Sequence, residues 1–431
     1  MDTEDQIIID KKFKKLKRSD IEITELIEKN NYQIKKLYFF IFKIILINIG
    51  IVYYLYINKK EQNDKDMDKQ IKDDFFQNEI KKKFFNFEKQ FNLLKSKINY
   101  YFDVKIKNEE NIYNNTNMKS EELSEISYEK FDEKIFQEVK RQQKEFCNNQ
   151  KKYIKFQFEN QIKLTKASLL NKNFNMYVYK NQDVVSNHIR FGESWESTET
   201  RKLIDALNYY SSLKHIPNNN IYIIDIGANV GWYTLFLAKC GYQILSFEAS
   251  VVNNYILRKN FCLNLNSNIT IINKGLFTEE KKCDYYLNKG NIGNGMIQCN
   301  KNGTVSNVFT KSGEAYLTKL SNYIEFLSTK NVALIKIDTE GSEGKAIESG
   351  IELISKYHVP FIFLEFNPQF LKMHETDAMQ FLTIFEMNGY KFLKKHFFDK
   401  NYYTKKELVE RYKVGGANLY IVYSGIMKNE K

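Results

Sequence analysis

Five short apolar segments beyond residue 220 constrain the fold of this 431-residue chain more than any other feature. Most of them are apolar on both alternating faces, which is typical of parallel strands buried between layers of helices. Helical segments separate several of the five, and this repeating pattern predicts a doubly wound α/β sheet. Two later apolar runs could form a terminal hairpin and complete a seven-stranded sheet. The five segments are 221–227, 242–248, 269–275, 332–341 and 359–367, and the later pair is 390–398 and 417–424.

The turn after the first of these strands has the sequence DIGANVG, at 225–231. Asp225 closes the strand, and Gly227 and Gly231 frame the turn into the next helix. Gly227 lacks the Cβ atom that would keep a ligand from approaching the backbone closely. About twenty residues later Glu248 ends the second strand, where a carboxylate can accept hydrogen bonds from both hydroxyls of a ribose. This pattern predicts a site for a nucleoside-containing cofactor.

Two classes of cofactor can be separated at this turn. A dinucleotide-binding turn has the pattern G-x-G-x-x-G, whose third glycine lets the helix pack closely on the strand. Aligned from Gly227, that pattern places Asn229 at the second position and Trp232 at the third. The tryptophan would push the helix away from the sheet, and the missing glycine would weaken pyrophosphate binding. S-adenosylmethionine carries no phosphate and does not need this pattern, so it is the favoured cofactor.

The same residues resemble the FkbM-type methyltransferases, a family of class I enzymes that use S-adenosylmethionine on a Rossmann-like domain. The resemblance covers about 185–424 and rests on DIGANVG at 225–231, FEAS at 247–250 and KIDTEGSE at 336–343. The second motif usually has proline where this chain has Ala249, but its acid is present. The resemblance implies a methyltransferase domain over 185–431. It implies that the cofactor contacts Asp225, Gly227, Asn229, Gly231 and Glu248.

Acidic residues also follow the fourth predicted strand, at Asp338 and Glu340. The resemblance implies O-methylation of a glycan or small hydroxylated acceptor, whose hydroxyl is a weak nucleophile and must lose its proton in or after the transition state. Asp338 or Glu340 could take that proton. Alternatively, these two and Glu365 could bind a divalent cation that acidifies the hydroxyl. Acids at strand ends also stabilise helix starts, and Glu343 best fits that structural role.

Other partners and acceptors are less favoured. The net charge is +12, but lysine and arginine are spread along the chain with acids between them, so no nucleic-acid partner is predicted. The sequence NPQF at 367–370 lacks the second proline of the N-P-P-Y element found in methyltransferases of nucleic acids or proteins. An inactive binding module, or a methyltransferase acting on protein or nucleic acid, are the alternatives. The segment 188–199 could cover the cofactor, shape the acceptor site or serve as a docking helix.

A nearly unbroken apolar run at 37–57 predicts a single transmembrane helix that follows a basic tail, 1–36. At ~1.5 Å per residue the run matches a hydrocarbon core of ~30 Å. Lysines lie on both sides of it in similar number, so charge does not set the orientation. The resemblance favours a lumenal domain, in the endoplasmic reticulum or Golgi.

Residues 58–184 are predicted to form a helical, coiled-coil stalk without a chemical role. Apolar residues between 80 and 101 alternate in steps of three and four, a seam through which the chain could form a homo-oligomer. A second amphipathic segment covers 123–139. Phenylalanine is unusual in a dimer seam, so packing against the domain is an equal alternative. The five cysteines show no C-x-x-C pair or zinc spacing, and their odd number leaves the redox environment open.

Overall fold

A computed structural model describes residues 130–150, 159–264, 268–299 and 305–427. Within these ranges the strands are β1 (Ile162–Leu169), β2 (Lys172–Tyr179), β3 (Ile221–Ile226), β4 (Gln243–Phe247), β5 (Ile269–Ile272), β6 (Gly275–Leu276), β7 (Lys281–Asn288), β8 (Asn291–Gln298), β9 (Phe309–Thr318), β10 (Asn331–Ile337), β11 (Phe361–Phe366), β12 (Tyr390–Leu393), β13 (Tyr402–Tyr403) and β14 (Ala417–Tyr423). The helices are α1 (Glu133–Asn148), α2 (Val184–Gly192), α3 (Ser197–Lys214), α4 (Trp232–Lys239), α5 (Val251–Asn264), α6 (Ile324–Ser328), α7 (Glu343–Glu348), α8 (Glu352–Ser355), α9 (Pro368–Met373), α10 (Ala378–Met387), α11 (Lys405–Arg411) and α12 (Ser424–Met427).

The main sheet has eight strands in the order β13-β12-β14-β11-β10-β3-β4-β5. The five predicted segments form its parallel part, from β11 to β5, and β12 pairs antiparallel with β14 as predicted. The sheet has one strand more than the seven expected, because Tyr402–Tyr403 pairs with the edge of β12. A two-residue strand is too short to produce an apolar run, so it could not be recognised from the sequence.

Hydrophobic cores lie on both faces of this sheet, as a doubly wound fold requires. In β3, Ile221 and Ile223 pack into one core, whereas Ile224 and Ile226 pack into the other. The first core also takes buried residues of α3, α4 and α5, and the second takes residues of α7, α8 and α10. The alternation of buried residues in one strand therefore fixes its position between two helical layers.

Helix α1 packs against the domain, which is one of the two alternatives for the amphipathic segment around 123–139. Phe136 and Val139 are buried in one core and Phe146 in the other. The Gln143 side chain donates to the backbone carbonyl of Ile269 at 3.2 Å and accepts from the amide of Ile271 at 2.7 Å. Because β5 is an edge strand, these bonds satisfy backbone groups that would otherwise be open to pairing.

The hairpin β1–β2 differs from the helical stalk predicted for 58–184. Its strands pair antiparallel from Ile162 with Tyr179 to Leu169 with Lys172. Phe174, Met176 and Val178 alternate as buried residues, a period of two that belongs to a strand rather than a helix. The described part of the predicted stalk is therefore partly β and contributes to the core of the domain.

A separate four-stranded sheet, β6-β9-β7-β8, follows the main-sheet strand β5. Its own core consists of five buried residues, Cys283, Tyr285, Leu287, Ala315 and Leu317. A disulfide between Cys283 and Cys299 joins β7 to the residue that follows β8. A second disulfide, Cys147–Cys262, joins α1 to α5, and Cys240 is a free thiol. Four of the five cysteines therefore form two disulfides, which the sequence pattern did not indicate.

The predicted basic tail (1–36), the transmembrane run (37–57) and the seam between 80 and 101 lie outside the described residues. Among the residues that the structure does describe, no helix combines the length and the apolar character needed to cross a membrane.

Candidate active site

A cavity of about 280 Å³ lies at the carboxyl ends of β3, β4, β10 and β11. We call its two sides the strand-end wall and the insert wall. The strand-end wall comprises Ile226, Gly227, Phe247, Glu248, Asp338, Thr339, Glu340 and Glu365. The insert wall, from strands β6, β7 and β8 of the four-stranded sheet, comprises Gly275, Leu276, Tyr285, Asn291, Gly293, Asn294, Gly295 and Ile297. The carboxyl edge of such a sheet is where ligands bind in α/β folds.

Gly227 begins the turn at the centre of the strand-end wall. Its amide and that of Ala228 both donate to the Phe247 carbonyl, at 2.9 and 3.1 Å, so the ends of β3 and β4 are tied together. Gly227 has φ +75°, and a Cβ atom there would overlap the backbone carbonyl oxygen of Asp338. Glycine is therefore required by a contact within the chain. From the sequence alone, the close approach of a ligand is the expected reason for this glycine.

Glu248 lies at the end of β4 and is only 5% exposed. One carboxylate oxygen accepts the Asn229 amide at 2.7 Å and the other accepts the Ser250 amide at 2.8 Å. Burial raises the pKa of Glu248 to about 7, against the opposing effect of these amides and of Lys336. The Asn253 side chain also hydrogen-bonds this carboxyl group, and the remaining acceptor positions can take a hydroxyl group in the cavity.

Two predicted cofactor residues, Asp225 and Gly231, are not among those that line the cavity. Asp225 is fully buried, accepts a hydrogen bond from Thr234 Oγ1 at 2.6 Å and lies 3.5 Å from Lys336 Nζ. Gly231 has φ +98°, and a Cβ atom there would come within 2.5 Å of the Leu257 side chain. Both residues therefore support the turn from inside the domain. Asp225 does so through its buried contacts with Thr234 and Lys336, and Gly231 through its close contact with Leu257.

Asn229 does line the cavity, and it joins the two walls. Its side-chain amide donates to the Gly293 carbonyl at 3.2 Å, and Asn253 donates to the same carbonyl at 2.9 Å. A Cβ atom at Gly293 would overlap the buried Asp183 carboxylate. This wall is not predicted from the sequence pattern. The signal was present in NIGNG at 291–295, because glycine inside a strand often marks close approach of another group.

Three carboxyl groups, of Asp338, Glu340 and Glu365, meet in the strand-end wall with one oxygen of each within 4.8 Å of the others. Burial and then the charge of Asp338 raise the pKa of Glu340 to about 8. The same two causes, in the same order, raise the pKa of Glu365 to about 9. Both glutamates therefore carry protons for most of the time at neutral pH. Glu340 has φ +57°, a left-handed conformation that is unusual for a residue with a side chain and is common at functional sites.

Lys336 lies beneath this group, in β10. Its ammonium donates to the Gly227 carbonyl at 2.8 Å and lies 3.8 Å from an Asp338 carboxylate oxygen. Burial lowers the pKa of Lys336, but the charges of Asp225, Asp338 and Glu196 together raise it above its ordinary value. It is therefore a permanent cation beneath the strand-end wall.

Trp195 and Glu196 complete the cavity, so the segment 188–199 shapes the site. Glu196 accepts a hydrogen bond from the Tyr233 hydroxyl at 2.6 Å and another from the Asn418 side chain at 3.1 Å. Burial raises its pKa. Its φ of +39° is a second left-handed conformation beside the cavity. This loop therefore holds a tryptophan ring and a carboxyl group in fixed positions at the cavity.

Two other polar residues take structural positions. Glu343 begins α7, and one of its carboxylate oxygens accepts the amides of Thr339 and Gly341 at 2.8 and 3.2 Å. This is the helix-start role expected for it, and it braces the loop that contains Glu340. Asn367, the first residue of NPQF, caps α9 by accepting the amides of Gln369 and Phe370 at 3.1 and 3.3 Å.

Residues 225–392 match the family model described as the methyltransferase FkbM domain. No curated protein matches the chain. Among solved structures, the bifunctional kinase-methyltransferase WbdD aligns at 11% identity over 56% of this chain and 43% of its own, with a TM-score of 0.32. The T. thermophilus 16S rRNA N2 G1207 methyltransferase RsmC, in complex with AdoMet and guanosine, aligns at 12% over 61% and 50%, with a TM-score of 0.30. An O-methyltransferase from Bacillus cereus, in complex with SAH, aligns at 13% over 53% and 81%, with a TM-score of 0.26.

The alignment spans less than two thirds of both WbdD and RsmC. Likenesses at these identities and TM-scores do not bear on substrate. The family match supports a methyltransferase domain with a Rossmann-like α/β fold over 225–392.

Proposed function

Because residues 225–392 match the methyltransferase FkbM domain, we propose that this chain is an S-adenosylmethionine-dependent O-methyltransferase that acts on a glycan or small hydroxylated acceptor. One observation carries the proposal. A single cavity joins the carboxyl group of Glu248, where a ribose can bind, to the acids that follow the fourth and fifth parallel strands. Cofactor binding and proton acceptance would then occur within one enclosure.

The residues of the strand-end wall fit this cofactor. Glu248 retains acceptor positions for ribose hydroxyls, and its backbone partners hold it at the end of β4. The Asp338 carboxylate lines the same cavity and favours a cationic ligand such as a sulfonium. When bound, S-adenosylmethionine supplies an electrophilic methyl group. The chain has to bind it, place an acceptor hydroxyl in line, exclude water and remove one proton.

Asp338 is the better of the two predicted proton acceptors. Burial and neighbouring charge raise the pKa of Glu340 to about 8 and that of Glu365 to about 9, so both hold protons at neutral pH. Asp338 differs because its carboxylate lies beside the Lys336 ammonium, and its side chain is 43% exposed toward an incoming acceptor. The acceptor's hydroxyl proton would therefore pass to Asp338 as the hydroxyl oxygen gains the methyl group.

A divalent cation is the second interpretation of the same acids. Asp338, Glu340 and Glu365 could each offer one oxygen, since these atoms lie within 4.8 Å of one another. A cation would keep all three carboxyls ionised and acidify the hydroxyl directly. Chelation separates the interpretations: a base without metal predicts an unchanged rate, whereas a cation predicts loss of activity and recovery on addition of Mg²⁺ or Mn²⁺.

The compartment and the membrane anchor are also proposals. Two disulfides among the described residues, Cys147–Cys262 and Cys283–Cys299, are typical of proteins that fold in oxidising compartments, and they support a lumenal domain. The run at 37–57 would anchor this domain to a membrane of the endoplasmic reticulum or Golgi. A homo-oligomer through the region before residue 130 belongs to the same proposal.

Alkylation of unfolded, unreduced protein tests the compartment. We expect a thiol reagent to modify Cys240 alone when the protein is taken from its native cells, and all five cysteines after reduction. Modification of all five before reduction would contradict a lumenal domain.

Isothermal titration with S-adenosylmethionine and its demethylated product tests the cofactor. We expect both to bind, and Glu248→Gln to weaken binding by about 1–3 kcal/mol, the cost of losing hydrogen bonds to a charged group. Glu314→Gln is the control, because Glu314 is an exposed member of an ion pair with Lys282. Absence of binding by the wild type would refute the proposed function.

A methyl-transfer screen with labelled S-adenosylmethionine against glycan, lipid, protein and nucleic-acid fractions then identifies the acceptor. Transfer to the glycan fraction is the expected result. Transfer to protein or nucleic acid alone would favour that alternative class of enzyme. Cofactor binding without transfer to any fraction would favour an inactive binding module.

A further inference from the structure

We propose that Lys336 is a positioning residue that joins the cofactor turn to the proton-accepting carboxylate, holding the Gly227 carbonyl and the Asp338 side chain in one arrangement. This inference rests on the proposed function. The residue is buried, with 5% of its side chain exposed, and its ammonium contacts both groups, at 2.8 Å and 3.8 Å.

The first step of the argument is the backbone between the two groups. The turn at Gly227 and the residue after β10 are in direct contact, because a Cβ atom at Gly227 would overlap the Asp338 carbonyl. The Asp338 amide donates to the Ile226 carbonyl at 3.1 Å. A shift of either segment therefore moves the other. The ammonium of Lys336 contacts both segments: it donates to the Gly227 carbonyl and forms an ion pair with the Asp338 carboxylate.

The second step is the charge balance. A buried lysine opposite a fully buried aspartate, Asp225, has an obvious structural role, because each neutralises the other at 3.5 Å. That role does not require Lys336 to reach the cavity. Its ammonium nevertheless also contacts Asp338 and the Gly227 carbonyl, whereas Asp225 has Thr234 as a separate partner at 2.6 Å. The two roles can therefore be separated by removing both members of the Asp225–Lys336 pair together.

The third step is the consequence for the site. Loss of the ammonium would remove this hydrogen bond from the Gly227 carbonyl. Gly227 begins the turn that carries Asn229, whose amide donates to Glu248. It would also leave Asp338 without an ion pair beside two other carboxyl groups. We therefore expect weaker cofactor binding and, in addition, a slower methyl transfer when cofactor is saturating. If Lys336 served only to neutralise Asp225, replacing it would have neither effect in a variant whose residue 225 is uncharged.

The experiment compares Asp225→Asn with the double variant Asp225→Asn/Lys336→Met, so that no buried charge is left unpaired at position 225. Thermal unfolding first checks that both are folded. We expect Lys336→Met, in this background, to weaken S-adenosylmethionine binding about tenfold by titration, the loss of one hydrogen bond from a charged group. We also expect it to slow methyl transfer to the glycan fraction by at least as much. Lys405→Met, which removes an exposed ion pair with Glu386, is the control.

A coupling measurement distinguishes positioning from general damage. In an Asp225→Asn/Asp338→Asn background, Lys336→Met should slow transfer little further, because the carboxylate that it holds is already gone. An equal slowing with and without Asp338 would overturn the inference. Cofactor affinity and rate within twofold of Asp225→Asn would also overturn it, while cofactor binding by the wild type would leave the proposed function intact.

If the double variant does not fold, Lys336→Arg replaces it. Arginine keeps a buried cation near Asp225 but cannot place a compact ammonium on the Gly227 carbonyl. We expect folded protein with the same loss of S-adenosylmethionine affinity. Wild-type affinity in Lys336→Arg would overturn the inference.

Discussion

The two walls of the cavity are built in different ways. The strand-end wall belongs to an eight-stranded sheet with hydrophobic cores on both faces, and it carries carboxyl groups, among them Glu248 and Asp338, with the Lys336 ammonium beneath it. The insert wall belongs to a four-stranded sheet whose core has five buried residues and one disulfide. Its members are three glycines, two asparagines, a leucine, a tyrosine and an isoleucine, so it offers the cavity no carboxyl or ammonium group.

The comparison indicates that the strand-end wall carries the reactive groups, whereas the insert wall encloses the cavity. Charged groups need fixed neighbours, because their pKa values and directions depend on buried contacts, and the large cores supply these. The insert wall closes the space opposite and is joined to the turn through the Gly293 carbonyl, which accepts from Asn229 and Asn253. Damage to the strand-end wall should therefore threaten the fold, whereas damage to the insert wall should mainly affect the cavity.

The largest effect is expected in the strand-end wall, from Gly227→Ala. The added Cβ atom would overlap the Asp338 carbonyl oxygen, and alanine is strained at φ +75°. We expect a loss of about 4 kcal/mol or more in the free energy of unfolding, with cofactor binding lost along with the fold. Gly192→Ala is the matched control, since a Cβ atom there meets nothing within 4 Å. Denaturant unfolding measures both. A Gly227→Ala protein as stable as the control would contradict the packing described for this turn.

A smaller effect is expected in the insert wall, from Cys283→Ser/Cys299→Ser. These residues are separated by 16 positions, and closing a loop of that size is associated with about 3 kcal/mol. We expect faster hydrogen exchange in β7 and β8 and weaker S-adenosylmethionine binding, with β3, β4 and β10 still protected. Cys240→Ser, at a free thiol, should change neither. Equal loss of protection in both sheets would show that the walls are not independent.

The last effect concerns pH and Glu365. Its pKa is raised from 4.5 to about 9 by burial and by Asp338, so the folded protein binds more protons than the unfolded chain between these values. Stability from this group is full below about pH 4.5 and is lost as the pH rises through about 9. Glu365→Gln removes that dependence because an amide does not titrate, and its N–H can replace the carboxylic O–H as a donor to Asp338. Compared with the wild type, we therefore expect the variant to gain stability on going from pH 5 to pH 8.5.

Thermal unfolding at the two pH values provides the measurement. Glu348→Gln is the control, because that side chain is 62% exposed and pairs with Lys345 at 3.9 Å. Should Glu365→Gln instead destabilise the protein at pH 8.5, and only when Mg²⁺ or Mn²⁺ is present, the acids would be cation ligands.

The sequence predicted the strand-end wall far better than the insert wall, for physical reasons. Buried parallel strands are apolar on both faces, so β3, β4, β5, β10 and β11 were recognisable from local pattern alone. The predicted ends of those strands in turn identified four acids, Glu248, Asp338, Glu340 and Glu365. All four line the cavity.

What could not be predicted depends on contacts between distant parts of the chain. The role of Gly227 follows from a carbonyl more than a hundred residues later, and Asp225 is directed toward Lys336 by the pairing of β3 with β10. The longer strands of the four-stranded sheet, β7, β8 and β9, are only partly buried and contain many polar residues, so they form no continuous apolar run. Both cysteine pairs form across elements whose proximity only the fold creates.

The most direct test of the account measures methyl transfer by Asp338→Asn at saturating S-adenosylmethionine, on the acceptor fraction that the wild type methylates. The account predicts a rate about 100- to 10,000-fold below the wild type, the usual contribution of a general base, with unchanged affinity for the cofactor by titration. Glu340→Gln should retain much more of the rate, because Glu340 already holds a proton at neutral pH. A wild-type rate in Asp338→Asn would contradict the account.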